Sequence, residues 1–196
     1  RSAPKAQQIY ESMRRAIILL EMAPGSAVVE KDICLANGVS RTPVREAVQK
    51  LADEGLVIVV PQSGTYVSRI SFQLAEEGFV IRRALEIEGV RRAALRSNDE
   101  AMARLQSILD RMRRILADNA LATYLSADDE FHSSIAELSG MTRLWRYISM
   151  AKVDLDRMRQ LSAPIPGHLE RVTRQHEQIV DAIRRGSPDQ SELAMR

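Results

Sequence analysis

Three polar side chains sit where a helical repeat demands apolar ones. Leu121, Leu125, Asp128, His132 and Ile135 follow at steps of four, three, four and three, so on an α-helix they share one face. Leu169, Val172, His176, Ile179 and Ile183 form a similar stripe further along the chain. Asp128, His132 and His176 are therefore expected to point inward from two helices. Burying a carboxylate is costly unless it is paired or bound to a cation. An Asp and a His one helical turn apart can share one metal ion. Imidazole with carboxylate suits Zn2+, Ni2+ or Mn2+, and open coordination positions would take water or a carboxylate ligand. The alternative is a polar cluster held by hydrogen bonds without metal.

A second set of residues offers nucleic-acid chemistry. Residues 39–48 read Val-Ser-Arg-Thr-Pro-Val-Arg-Glu-Ala-Val, directly after Asn37-Gly38. Pro43 fits a first helical position because its missing N–H costs nothing there, and Thr42 is expected to cap that helix. Arg41 and Arg45 then lie at a helix entrance whose N–H groups already favour anions, beside the hydroxyls of Ser40 and Thr42. Such a helix start suits a phosphate backbone and base edges. A solvated helix cap is the plainer alternative.

The surrounding elements decide between these. Residues 29–36 read as a short amphipathic helix, with Cys34 as a small core residue, and Asn37-Gly38 ends it. Val44, Ala47, Val48 and Leu51 recur at helical spacing until Gly55. Two helices joined by a tight glycine turn form a helix-turn-helix. Leu56–Val60, a turn at Pro61-Gln62-Ser63-Gly64 and Thr65-Tyr66-Val67 then make a hairpin wing, with Gly64 at its tip in a positive φ. After Ile70 the strand signals stop. Helices are expected over about 74–96, 99–117, 121–138, 144–161 and 169–185, with a last one capped by Ser187 and opened by Pro188. Ser97-Asn98-Asp99-Glu100 reads as a capping box. Short loops between amphipathic helices imply an antiparallel bundle. The fold class is thus mainly α: a winged helix-turn-helix over residues 1–70, then an all-α helical bundle over 71–196.

Residues 9–70 resemble the winged helix-turn-helix of GntR-type bacterial transcription regulators. The resemblance rests on Pro24-Gly25, Ser40–Ala47, Leu51, Gly55-Leu56-Val57 and Gly64-Thr65-Tyr66-Val67. It implies that Arg41 and Arg45 contact DNA, helped by Lys31, Thr42 and the wing tip near Gly64. Residues 74–196 resemble the helical effector domain of the FadR-like branch, called FCD, through Arg82–Glu86, Asp128–His132, Ser139-Gly140 and His176–Ile183. That likeness implies a divalent metal held by Asp128, His132 and His176, with a small organic acid bound beside it. It puts a fourth ligand just past Arg196, and the chain opens at Arg1 without Met, so the sequence is expected to be a trimmed fragment. Arg82 occupies the position of the family's pocket-side arginine, which would pair an effector carboxylate; a surface ion pair is the alternative. His168 and Asp129 are expected at the surface, and the arginines at 91–92 and 111–114 on solvated faces. Where the family often has Asn after Ser-Gly, this chain has Met141.

Composition bounds the rest. The net charge is +2, so the chain is no polycation, and the small excess of Lys and Arg falls in its first 70 residues. Its single Cys excludes a disulfide within the chain and fits a reducing cytoplasm. No apolar run is long enough to span a bilayer. The expectation is a cytoplasmic homodimeric regulator that binds a double-stranded DNA operator and answers to a small carboxylic or sugar acid. Its dimer surface is placed on the first bundle helix, where small residues from Gly78 to Ala93 would allow close packing. One rival keeps the architecture but has a metal-free pocket for an apolar or acyl effector. Another is a metal-dependent hydrolase, for which no general base or nucleophile constellation is visible.

Overall fold

The computed structural model describes residues 4–120 and 123–196. It divides into two compact units, Arg1–Phe72 and Gln73–Arg196. Leu121, the first residue of the predicted stripe, lies outside the described residues.

The first unit is built on two helices, α1 (Lys5–Ile18) and α3 (Arg41–Asp53). Ile9, Met13 and Ile17 recur every fourth residue and meet Val44, Ala47, Val48 and Leu51 in a dry core completed by Leu56, Val57 and Val67. Tyr10 hydroxyl donates to Glu54, and Arg14 Nε lies 2.9 Å from the same carboxylate, so the end of α3 is tied to α1. Between them lies α2 (Glu30–Asn37), which ends at Gly38 in the left-handed region, φ 60°. A side chain there would be strained, which is why glycine makes this turn.

Three details differ from expectation. No residue of α2 is buried, and Cys34 is only half-buried, its thiol 3.6 Å from the Ser40 carbonyl. Second, Ser40 rather than Thr42 stands at the N-cap of α3, without a side-chain cap bond. Pro43 is thus the third helical residue; its missing N–H is still harmless, because the first four N–H groups of any helix lack an internal acceptor. Third, the apex of the wing is Gln62, φ 62°, while Gly64 pairs with Val60 at the start of β2. Strands β1 (Val57–Val60) and β2 (Gly64–Val67) are antiparallel, joined by the three residues 61–63. Backbone bonds from Gly25 to Val67 and from Val28 to Thr65, both 2.8 Å, clasp the other edge of β2.

The second unit contains α4 (Phe72–Ala94, from Gln73), α5 (Asp99–Ala117), α6 (Tyr124–Leu138), α7 (Leu144–Ala151), α8 (Val153–Ser162), α9 (His168–Arg184) and α10 (Pro188–Met195). Leu105, Ile108, Leu109 and Met112 of α5, Phe131 and Ile135 of α6, and Ile179, Val180 and Ile183 of α9 share its core with Val90 and Ala93 of α4. The cap of α5 is Asn98, which accepts from Ala101 N–H at 2.9 Å, not Ser97. Ser187 caps α10 as expected, accepting from Gln190 N–H at 3.4 Å.

The single helix expected over 144–161 is two helices. They meet at Lys152, φ −92° and ψ 8°, a residue that ends one and begins the other. Its ammonium is buried and pairs with Asp129, at 2.7 Å, and with Asp156. The sequence shows no proline or glycine at this break. Its cause is tertiary: Gly78 of α4 lies against the Ala151 carbonyl, so close that a Cβ would be 2.2 Å from that oxygen. Gly89 faces the tip of the Leu144 side chain, 2.8 Å from where a Cβ would lie, a contact that the flexible side chain could relieve. Gly78 and Gly89 therefore face neighbours within the chain, while Ala84 is exposed. Larger residues of α4 are exposed too: Leu74, Val80 and Ile81.

Gly78→Ala is therefore expected to force α4 and α7 apart and cost about 1–3 kcal/mol of stability, the usual range for overpacking. Urea denaturation measured against the wild type checks this, and an unchanged midpoint would refute the close contact.

Candidate metal centre and nucleic-acid interface

In α3 the buried face of Val44, Ala47, Val48 and Leu51 leaves Arg41, Thr42 and Arg45 exposed on the other side. Arg41 and Arg45 are one turn apart and share that face. Arg45 Nε lies 3.3 Å from Glu30 Oε2, which brings the first turn of α2, with exposed Lys31, alongside the start of α3. Ser40 is exposed at the cap. Gly64, φ 139°, sits over the Tyr66 ring, and the Tyr66 hydroxyl lies 3.0 Å from Ser63 Oγ, which firms the turn. These are the elements a major groove and its flanking phosphates require.

In the helical unit, α6 and α9 bring Asp128, His132 and His176 together. All three are buried, and one donor atom from each lies within 4.8 Å of the others. His176 Nε2 is 3.4 Å from Asp128 Oδ1, and His132 Nε2 is 3.9 Å from Oδ2. His132 Nδ1 faces away, 3.0 Å from Glu86 Oε1. The pair is close in distance but not aligned as a hydrogen bond; a carboxylate in this place would support the imidazole from outside if its other nitrogen held a metal. Burial raises the Glu86 pKa, but His132 and Arg82 outweigh it and hold the group down at about 2. Burial, against the pull of Asp128, lowers His176 to about 3, so its ring is neutral at ordinary pH and fit to ligate.

Asp128 has no exposed surface. Burial alone would keep it protonated; Arg159, His132, His176 and Arg82 overcome that and hold it well below the usual carboxylate range. Arg159 Nη2 is 2.7 Å from Oδ2 and Arg82 Nη2 is 3.7 Å away. Yet neither carboxylate oxygen makes an aligned hydrogen bond, and His176 Nδ1 makes none. Buried polar atoms left in this condition, around a carboxylate and two imidazoles, fit a divalent cation.

The trio lines a cavity of about 400 Å3. Arg82 is on its wall, buried and 3.0 Å from Glu86, so it is not a surface ion pair. Phe79, Leu155, Val172 and Ile179 supply apolar wall, and Ala194, Met195 and Arg196 of the last helix and its end close one side. Arg91 of α4 ties that helix down, 2.8 Å from Asp189 and 2.6 Å from Glu192. His168 is not simply solvated: it lines the cavity, with Ser162 Oγ 3.5 Å from its Nε2. Asp129 is half-exposed but bonded to buried Lys152. Two site residues escaped the sequence reading. Glu86 follows Arg82 by one turn and looks like half of a surface pair. Arg159, with Lys152 and Asp156, falls on a charged stripe at steps of four and three, which reads as a solvated face.

A recognition helix with a wing, joined to an all-α unit with a buried acid–imidazole cavity, describes a DNA-binding transcription regulator. Residues 5–67 match the gntR family of bacterial regulatory proteins, and residues 77–196 match the FCD domain. The chain belongs to the GntR family, in its FCD-containing branch. It is 35% identical over 192 residues to the HTH-type transcriptional repressor RspR of Escherichia coli K12, covering 98% of this chain and 84% of that one. The HTH-type transcriptional repressor NanR of Cronobacter sakazakii is 30% identical over 213 residues, covering 97% and 81%. Among solved structures, E. coli McbR/YncC shares the fold, with TM-score 0.87 at 19% identity, over 99% of this chain and 92% of that one. A putative GntR regulator from Rhodococcus sp. RHA1 has TM-score 0.81 at 25% identity, covering 97% and 91%. No helix among the described residues is long and apolar enough to cross a membrane.

Arg41→Ala or Arg45→Ala is expected to weaken operator binding by about 1–3 kcal/mol, the worth of a base-reading arginine. Both side chains are exposed, so the melting temperature should stay put. Fluorescence anisotropy with operator DNA at moderate salt decides; wild-type affinity in both variants would rule α3 out as the reading helix.

Proposed function

We propose that two copies of this chain bind a pseudo-palindromic operator through their winged helices, and that a small carboxylic or sugar acid in the metal-containing cavity changes that binding. The observation that carries the reading is the buried Asp128, His132 and His176 cluster with its unmatched polar atoms. These residues would hold Zn2+, Ni2+ or Mn2+, which supplies an open Lewis-acidic position for an acid's carboxylate. Arg82 on the wall would pair the same or a second carboxylate. Arg41 and Arg45, with Lys31, Ser40, Thr42 and the wing at Gly64, would meet the operator in the cytoplasm. The exposed Leu74, Val80 and Ile81 face of α4 is the surface offered to the second copy. Relatives named as repressors favour repression as the mode of control.

Effector and operator are linked reciprocally: an acid that favours an arrangement unfit for the operator must bind less well on DNA. Arg82 and Glu86 sit on α4, the helix that begins at the end of the DNA-binding unit, so occupancy of the cavity acts on the element that follows the wing.

His176→Ala is expected to abolish stoichiometric metal, measured by elemental analysis after reconstitution, and to lose the thermal shift given by organic acids on metal-loaded protein. Operator binding should persist, because the reading helix lies in the other unit. Glu86→Gln should keep the metal but weaken it by about 10–100-fold, as loss of a ligand's outer support does. Metal-free wild type after reconstitution, with an intact acid response in His176→Ala, would sink the metal centre and leave a hydrogen-bonded pocket.

A further inference from the structure

We propose that Arg159 is the counter-ion that stands in for the metal at Asp128, and that metal entry moves its guanidinium from Asp128 onto Asp156. This rests on the metal-binding reading above.

Asp128 is completely buried, so positive charge must adjoin it whether or not a metal is present. Arg159 supplies it, with Nη2 2.7 Å from Oδ2; Arg82 stands a full ångström further off. A divalent ion held by Asp128, His132 and His176 would bring two more positive charges to the same carboxylate. Cations crowded on one buried acid repel strongly, since little water screens them. One must withdraw. The imidazoles lie on the packed faces of α6 and α9, and Arg82 is held by Glu86 at 3.0 Å. Arg159 is the member with somewhere else to go.

That second seat is Asp156. Its Oδ1 is buried without an aligned hydrogen bond, and it lies 3.6 Å from Nη1 of Arg159, which is equally unmatched. Two buried, opposite, unsatisfied groups this near each other are otherwise a standing cost. Asp156 and Arg159 are three residues apart on α8, so the transfer needs only side-chain rotation. The other oxygen of Asp156 already faces Lys152. After the transfer, Asp128 is matched by the metal and Asp156 by Arg159 and Lys152. No acid is left alone in either state.

The test measures Zn2+, Ni2+ and Mn2+ affinity of the whole chain by competition with a chromogenic chelator, together with melts of metal-free and metal-loaded protein. Arg159→Met is expected to bind metal about tenfold more tightly than wild type, a modest share of the repulsion removed. It should melt below wild type without metal and recover with it. Arg159→Lys keeps a charge on a shorter stem, guards against a variant that fails to fold, and should fall between. Asp156→Asn removes the second seat and should weaken metal binding, although Asp156 is no ligand. If wild type binds metal and both Arg159 variants bind it no more tightly, the exchange is overturned while the metal centre stands. If neither wild type nor any variant binds metal, the metal centre itself fails and the exchange with it.

Discussion

A carboxylate with no exposed surface lies at the centre of the helical unit. Arg159 of α8 is the chief charge that holds Asp128 ionised against its burial, with Arg82 of α4 and the imidazoles of α6 and α9 around it. Breaking a buried ion pair by removing one partner is far more damaging than never having built it. The polar centre thus joins side chains from four helices of the bundle.

Around that centre the charges are layered. Glu86 lies beside His132 and holds Arg82; Asp156 and Asp129 hold Lys152; Lys152 marks the junction of α7 and α8. Gly78 presses α4 onto the same junction. A buried lysine and a glycine with no room for a methyl group thus meet at one place, where a helix is interrupted. The pocket wall and the helix break are two ends of one buried network.

Much of this was legible in the sequence, and the residues explain where legibility stopped. Asp128, His132 and His176 stood out because helical period is a local property, and a polar residue in an apolar stripe is visible in the stripe itself. The α2–Gly38–α3 unit and the wing were legible for the same reason: the glycine and the hydrophobic spacing are adjacent. Arg159 and Glu86 were not, because their importance comes from partners on other helices. The break at Lys152 was hidden likewise, since no breaker residue signals it and its cause lies on α4. The shift of the α3 cap from Thr42 to Ser40 is a smaller error: Ser40 and Thr42 both suit a cap, and Pro43 is tolerated anywhere in the first turn. Gly78 and Gly89 misled in another way, because a small residue says that something approaches closely without saying which chain it belongs to.

The attachment of α10 sets a physical condition on the pocket. That helix, which brings Ala194 and Met195 to the cavity, is tied to α4 by Arg91 through two surface carboxylates. Such contacts weaken as dissolved ions shorten the reach of charge, which is about 8 Å at physiological ionic strength. The contacts around Asp128, a carboxylate with no exposed surface, are screened far less. One side of the pocket is therefore held in part by contacts that salt weakens, beside its packing on α9. Rising ionic strength is thus expected to loosen Ala194 and Met195 at the cavity before it disturbs the residues around Asp128.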